Sequence, residues 1–329
     1  MKKGDKKEMK KKFMAITALA IACVSLFAFA ACGNNDSGNG SSETKEKNVT
    51  VIAREQASGT REAFDKVVTD GNGNFLNMKD ANGKTVYSTT SKATLLDGTG
   101  AVLSSVASDE NAIGYISLGS VDDTVKVVKV NGVAPSKATV LDGTYSIQRP
   151  FVVMTNKAVT LTPLAEDFLK FLKSSEMQAV CDADGVIFLT DEAKRANEGG
   201  TPIAVGTFEK LATIPSGKIV LRGSTSMEKV IDGAVKAYAA IYGVEPGNIV
   251  DKQLQGSSVG KSEAKKDSVG NVIGLSSAAV KDEKLNSFNL CLDAVAVIVN
   301  NKNDKADNLS IKNLYDIYTG KIVKFSEIK

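Results

Sequence analysis

The sequence predicts an α/β fold with mainly parallel sheets. Two observations carry this. Short β-branched runs alternate with segments of helical apolar spacing along most of the chain, and that alternation resumes on the far side of a polar stretch at 190–217. The 329 residues are enough for two domains of ordinary size, and 43% hydrophobic with 24% charged residues is the balance of a globular protein.

The elements follow in order. Val49–Ala53 reads as a short strand, then a Ser/Gly turn and a helix over Arg61–Val68. Residues 70–90 are rich in Gly, Asn and Thr and read as turns and a hairpin. Thr99–Ala107 reads as helix, Ala112–Leu118 and Val125–Val130 as strands, and Asn131-Gly132 as a turn. Phe151–Thr155 is a further strand. Leu164, Phe168, Phe171 and Leu172 then line one face of a helix opened by Thr162-Pro163. Residues 190–217 hold Gly199, Gly200, Pro202, Pro215 and Gly217 and read as a connector with one short helix. Beyond it come a strand at Lys218–Leu221, a helix at Met227–Tyr242 and a strand at Val272–Leu275. Leu292–Val299 is an apolar run broken only by Asp293, expected of a strand buried on both faces. A helix at Ile311–Tyr318 stops at Gly320.

The N-terminus reads as an address. Lys2, Lys3, Lys6, Lys7 and Lys10 to Lys12 precede an uncharged, largely apolar run from Phe13 to Ala31, as in a secretory signal. Phe29-Ala30-Ala31-Cys32 resembles a lipobox, with Phe in place of the usual Leu. The polar run from Gly33 to Ser42 is a flexible tether. The expectation is a lipoprotein signal over 1–31, lipidation at Cys32 and a tether over 32–47. This places the body on the extracytoplasmic face of the cell membrane.

The formal net charge of +3 comes from that leader: 1–31 hold seven Lys and two acidic residues, which leaves 34 basic and 36 acidic residues for the body. A near-neutral body argues against nucleic acid as a partner. Any bound anion must be held by local geometry. The chain has no His, the commonest general base and metal ligand. Its four Cys (Cys23, Cys32, Cys181, Cys291) include no C-x-x-C pair, so neither a metal nor a cofactor is expected. Cys181 and Cys291 are open to pairing or to burial as free thiols.

Three segments share one design, a small-residue turn leading into a helix: Arg54 to Arg61, Gly223 to Ser226, and Gly256 to Gly260. The first turn of a helix offers unpaired N–H groups and a positive dipole end. Gly permits close approach, hydroxyls add neutral donors, and Arg54 adds a fork suited to an oxyanion. Plain N-capping accounts for any one of them. Three in one chain point to an anion site built from converging helix ends. Gly256 to Ser262 is one residue short of a P-loop, and two S-x-x-K matches, at Ser226 and Ser258, lack the companion motifs of β-lactamases.

Several segments resemble the phosphate-binding proteins of ABC transporters. Arg54-Glu55-Gln56-Ala57-Ser58-Gly59-Thr60 is similar to their R-E-x-G-S-G-T signature. Ala112 to Leu118, Asp142 to Pro150, Gly223 to Ser226, Asp293 to Asn300 and Leu309 to Ile322 are further matches, so the resemblance covers most of 49–329. In the family the G-S-T-S segment comes first and R-E-x-G-S-G-T in the middle. Here the order is swapped, as in a circular permutation that fuses the usual ends through 190–217. The resemblance implies two α/β lobes with the ligand in the cleft between them, one of 48–150 plus 288–329 and one of 151–287. It implies phosphate as ligand, a membrane permease with its ATPase as partners, and no catalysis. The family's oxyanion contacts fall on Arg54, Ser58, Gly59 and Thr60 in the first lobe and on Thr225, Ser226 and Ser257 in the second. Ser277 stands where some members have an Asp that accepts the proton of phosphate, so discrimination against sulfate is expected to be weaker, unless Glu55, Asp97 or a backbone carbonyl supplies the acceptor. The alternative readings are a phosphate sensor on the same fold, or a Ser hydrolase with Ser58 or Ser226 as nucleophile.

Overall fold

The computed structural model describes residues 46–196 and 202–328. The leader, Cys32 and all but the last two residues of the tether lie outside the described residues. No helix among the described residues is long and apolar enough to cross a membrane.

One curved sheet runs through the molecule, built from two parallel halves. In the first half, β1 (Thr50–Arg54) lies between β2 (Thr94–Leu96) and β3 (Ala112–Ser117). Helices α1 (Gly59–Val67) and α2 (Thr99–Ser108) connect these strands. The long strand β4 (Gln148–Asn156) leads out of this half, and helix α3 (Pro163–Leu172) follows it. In the second half, β5 (Ile219–Gly223) lies between β6 (Val250–Leu254) and β7 (Val272–Ser276), connected by α4 (Glu228–Tyr242) and α5 (Ser257–Lys266). The 16-residue strand β8 (Leu285–Asn300) leads back, and helix α6 (Ile311–Tyr318) follows. The strand order is β6-β5-β7-β4-β8-β3-β1-β2, with β4 and β8 antiparallel at the centre.

Each half has its own core. Ala53, Phe64, Tyr115, Val295 and Leu314 pack on one face of the first half, and Ile52, Val102, Val106, Ala296 and Ile298 on the other. Phe151, Phe168, Phe171, Leu221, Tyr238 and Leu275 fill the larger core of the second half. Burying each such side chain contributes about 1.5–3 kcal/mol, so two lobes are held by two separate aromatic-rich cores. They meet within β8. Phe288, Leu290 and Cys291 join the second core, whereas Ala294, Val295, Val297 and Val299 join the first.

The structure departs from the sequence reading in identifiable ways. β8 begins at Leu285, seven residues before the apolar run, because its first half alternates buried and exposed positions. β4 begins at Gln148, since Arg149 is buried by an ion pair with Asp293 across the strands at 2.9 Å. The edge strands β2 and β6 escape the pattern; β6 reads Val-Asp-Lys-Gln-Leu, and only its end residues Val250 and Leu254 pack against the second core. A helix at Glu176–Ala183 was not anticipated. The stretch after 190 does hold one short helix, Glu192–Arg195, but it is no free connector. Ile203, Val205, Phe208 and Ile214 pack against the second core, and Ser175 donates its N–H to Gly206 O at 2.8 Å.

The two ends of the described chain adjoin on the first half. Val49 N donates to Val323 O at 2.8 Å, and the Glu46 carboxylate accepts from Lys305 at 2.6 Å and from Ser326. This is the geometry that an exchange of chain order requires.

Candidate anion-binding cleft

Parallel strands all present their carboxyl ends to one side, and helix starts gather there. β1 ends in Arg54, β5 in Gly223 and β7 in Ser276. The helix starts that follow β1, β2, β5 and β6 converge on the same place.

From the first lobe come Arg54, the start of α1 and the start of α2. Ser58 caps α1: its Oγ accepts from the N–H groups of Thr60 and Arg61, each at 3.2 Å. Ser58 therefore serves as the cap that the sequence also allowed, and its oxygen lone pairs orient the turn. Gly98, with φ of 89°, turns the chain into α2 so that Thr99 faces Arg54. From the second lobe come Ser224, Thr225 and Ser226 ahead of α4, Ser257 at the start of α5, and Ser277 after β7.

Arg54 is 1% exposed. Its Nε and Nη2 donate to the Glu55 carboxylate at 2.7 and 2.8 Å, its Nη1 reaches Thr99 Oγ1 at 3.4 Å, and its Nη2 reaches Thr225 Oγ1 across the cleft at 3.2 Å. Its backbone is clamped as well. Arg54 N donates to Tyr115 Oη at 3.2 Å, and Arg61 Nη1 donates to Arg54 O at 2.9 Å. Tyr115 stacks on Phe64 with ring centroids 4.0 Å apart, so the clamp rests on the core. Burial pushes the Tyr115 hydroxyl above its usual range, which keeps it a neutral partner. Burial also pushes Asp65 up to about 6, against the pull of Arg61 at 3.2 Å.

Hydroxyls close the remaining space. Thr60 Oγ1 and Ser226 Oγ are 2.7 Å apart, Thr99 Oγ1 lies 3.4 Å from Ser226 Oγ, and Ser224 Oγ donates to Ser277 Oγ at 2.8 Å. Ser277 N donates to Ser257 Oγ at 3.0 Å. The lobes also touch at Ser258, whose N–H donates to Ala57 O at 3.3 Å. Gly59 lies where they press closest: a Cβ there would fall 2.6 Å from Ser257 Oγ and 2.7 Å from Ser277 Oγ. Hydroxyls of both lobes thus satisfy one another around a single guanidinium, in a form closed on itself.

All eight residues singled out in the sequence (Arg54, Ser58, Gly59, Thr60, Thr225, Ser226, Ser257 and Ser277) gather here. Thr99 and Ser224 were missed. Asp97-Gly98-Thr99-Gly100 has the same small-residue turn before a helix as the three segments that were recognised, and that signal could have found Thr99. Asp97 is exposed, whereas Glu55 is held against Arg54. The groups recorded around the two serine candidates for a nucleophile are N–H donors and hydroxyls. No group of three or more metal-ligating side chains occurs among the described residues.

The model of the PBP superfamily domain matches residues 34–176 and 209–327. The chain belongs to the PBP superfamily. It is 34% identical over 97% of its length to the phosphate-binding protein PstS 2 of Streptococcus pneumoniae serotype 4, all of which is covered. It is 31% identical, again over 97% of its length, to the PstS 2 of Streptococcus agalactiae serotype V, of which 99% is covered. The match to the phosphate-binding protein PstS of Bacillus subtilis, at 30% identity, spans 149 residues, 45% of this chain and 44% of that one. A crystal structure of a phosphate ABC transporter phosphate-binding protein from S. pneumoniae aligns with a TM-score of 0.61 and 32% identity, over 86% of this chain and all of that one. The two-lobed fold is that of this superfamily. The end-to-end matches show that the streptococcal relatives share the order of segments found here.

Proposed function

We propose that this protein is the extracytoplasmic phosphate-binding component of an ABC importer, that it performs no catalysis, and that Cys32 anchors it to the membrane through a lipid. Phosphate is the ligand. A membrane permease and its ATPase are the partners that take it over. The single observation that carries the reading is the buried Arg54 guanidinium, ringed by helix starts and hydroxyls from both lobes.

In this reading the lobes are 48–150 with 288–329, and 151–287. Arg54, Ser58, Gly59 and Thr60 of the first grip the anion together with Thr225, Ser226, Ser257 and Ser277 of the second. Thr99 and Ser224 add two more hydroxyls. The hydroxyl pairs that now bond to one another, Thr60 with Ser226 and Ser224 with Ser277, turn to the phosphate oxygens instead. Exchanging one set of hydrogen bonds for another leaves no buried donor orphaned in either state. Glu55 balances the charge of Arg54 and accepts the proton of phosphate. The relatives' names support the choice of anion, and the short match to the Bacillus protein is what a swapped segment order would produce.

Calorimetry of the purified protein with inorganic phosphate tests this. Arg54→Ala should weaken binding by about 1.5–3 kcal/mol, the scale of a charged hydrogen bond lost. An Arg54→Ala protein that folds and binds like wild type would place the anion elsewhere.

A further inference from the structure

The second core encloses two thiols and a guanidinium that the cleft does not use. Cys181, on the helix Glu176–Ala183, and Cys291, on β8, are both fully buried and both present as thiols. A short relay brings them together. Cys181 O accepts from Val186 N at 3.1 Å, and the next two residues, Ile187 and Phe188, pair in register with Leu292 and Cys291. Both cysteine side chains belong to the same packed core. Arg195 is also fully buried, with its guanidinium 5.0 Å from the centre of the Phe188 ring. Its Nη1 and Nη2 donate to Leu189 O at 3.0 Å and Lys173 O at 2.8 Å, while its Nε has no hydrogen-bond partner among the described residues.

We propose that Cys181 and Cys291 form a structural disulfide when the chain leaves the cytoplasm, tying the helix Glu176–Ala183 to the strand that crosses between the lobes. The proposal rests on the extracytoplasmic reading above, because thiols are kept reduced inside the cell and are oxidised outside it. The count agrees with it. Cys23 lies in the leader and Cys32 is the lipidation candidate, which leaves two Cys in the body. The oxidant is a disulfide, either a small molecule or an oxidoreductase. One protein thiol loses its proton and attacks that disulfide, breaking its S–S bond and releasing one thiol. The second protein thiol loses its proton and displaces the other half. Two protein thiols are oxidised, one external disulfide is reduced to two thiols, and one new S–S bond remains. A closed core admits no such oxidant, so the bond forms before the helix docks.

The test has two arms on the full-length chain. In the first, protein recovered from an exporting bacterial host is unfolded in iodoacetamide and digested without reductant. Cys181 and Cys291 should appear in one linked peptide, two hydrogens lighter than the separate pair. In the second, reduced and unfolded protein is refolded in a buffer of oxidised and reduced glutathione. The same link should form, and adding dithiothreitol should then lower the melting temperature by about 5–10 °C, the size expected for a structural disulfide in a chain of this length. Cys181→Ala should be insensitive to dithiothreitol; should Cys181→Ala not fold, the linked peptide decides. Both thiols alkylated in the glutathione arm overturn the pairing, wherever the protein resides. A link in that arm with free thiols in the exported sample retains the pairing and overturns the extracytoplasmic reading.

Discussion

Gly59→Ala separates closure from folding. The added methyl carbon would lie 2.6 Å from Ser257 Oγ, 2.7 Å from Ser277 Oγ and 2.8 Å from the carbonyl carbon of Ser277. All three atoms belong to the opposite lobe, and one is backbone that cannot rotate away. Forcing an extra carbon into a filled space costs about 1–3 kcal/mol. Opening the cleft relieves that cost, so it falls on the closed form alone. Binding that requires closure should weaken by roughly 5- to 150-fold, since 1.4 kcal/mol is a factor of ten. Folding of the first lobe should not suffer, because Ala is a better helix former than Gly at the start of α1. The assay is calorimetry with phosphate beside thermal unfolding without it. Gly100→Ala, next to Thr99 but exposed and with open space at its Cβ, is the control and should behave as wild type. Wild-type affinity in Gly59→Ala would refute the closed geometry. A fall of more than about 5 °C in unliganded melting temperature would show that the clash lies within one folded unit rather than between two.

Three further outcomes follow from the same groups. With Glu55 as the acceptor, excess sulfate should compete little with phosphate in wild type and measurably in Glu55→Gln, whose amide cannot repel a fully ionised anion; no effect of sulfate on either protein would show that another acceptor enforces the choice. Asp65 is held near 6 by burial while its ordinary value is 3.8, so the folded state binds more protons than the unfolded one between those values, and its contribution to stability falls by about 2–3 kcal/mol as pH rises from 4 to 7. Asp65→Asn should remove that fall, and denaturant midpoints that track wild type across the range would mean that Arg61 keeps Asp65 ionised throughout. Cys32→Ser should release the protein from membranes or leave its precursor uncleaved, and an unchanged mature mass with an unchanged membrane fraction would exclude lipidation at this residue.

The site was legible wherever the signal was local. Gly, Ser and Thr before a helix mark a cap by their own chemistry, so the three segments that hold Ser58, Ser226 and Ser257 stood out by composition and spacing, and the family resemblance implied the individual residues. Thr99 had the same signal but followed an edge strand, Thr94-Leu95-Leu96, whose exposed Leu95 hid the strand itself. Ser224 sits inside a recognised motif, yet only the packed structure shows that its hydroxyl reaches Ser277. The role of Ser277 in selectivity also changes with geometry. Its side chain is fully buried and bonded to Ser224 and Ser257 beside Gly59, so an Asp there would overfill the contact between the lobes instead of restoring an acceptor. In the fold, the buried strands announced themselves by apolar runs, interrupted in β8 by Asp293. The first half of β8 did not, because one face of it looks outward. The Arg149–Asp293 pair lies 144 residues apart in sequence and carries no local sign of its partner.

β4 and β8 form a ribbon of two antiparallel strands, paired from Leu285 with Asn156 to Ala294 with Gln148, and each half of the ribbon is rooted in a different core. Sliding one strand along the other would exchange inward and outward side chains at every position, so the ribbon resists shear. Twisting it breaks no pairing. Bending it breaks none either, so twisting and bending are the deformations that leave the pairing of the ribbon intact, and the register shift between Asn289 and Cys291 is where that pairing is irregular. Because the ribbon resists shear, the hydroxyls of Thr60 and Ser226 can meet reproducibly although 166 residues of chain separate them.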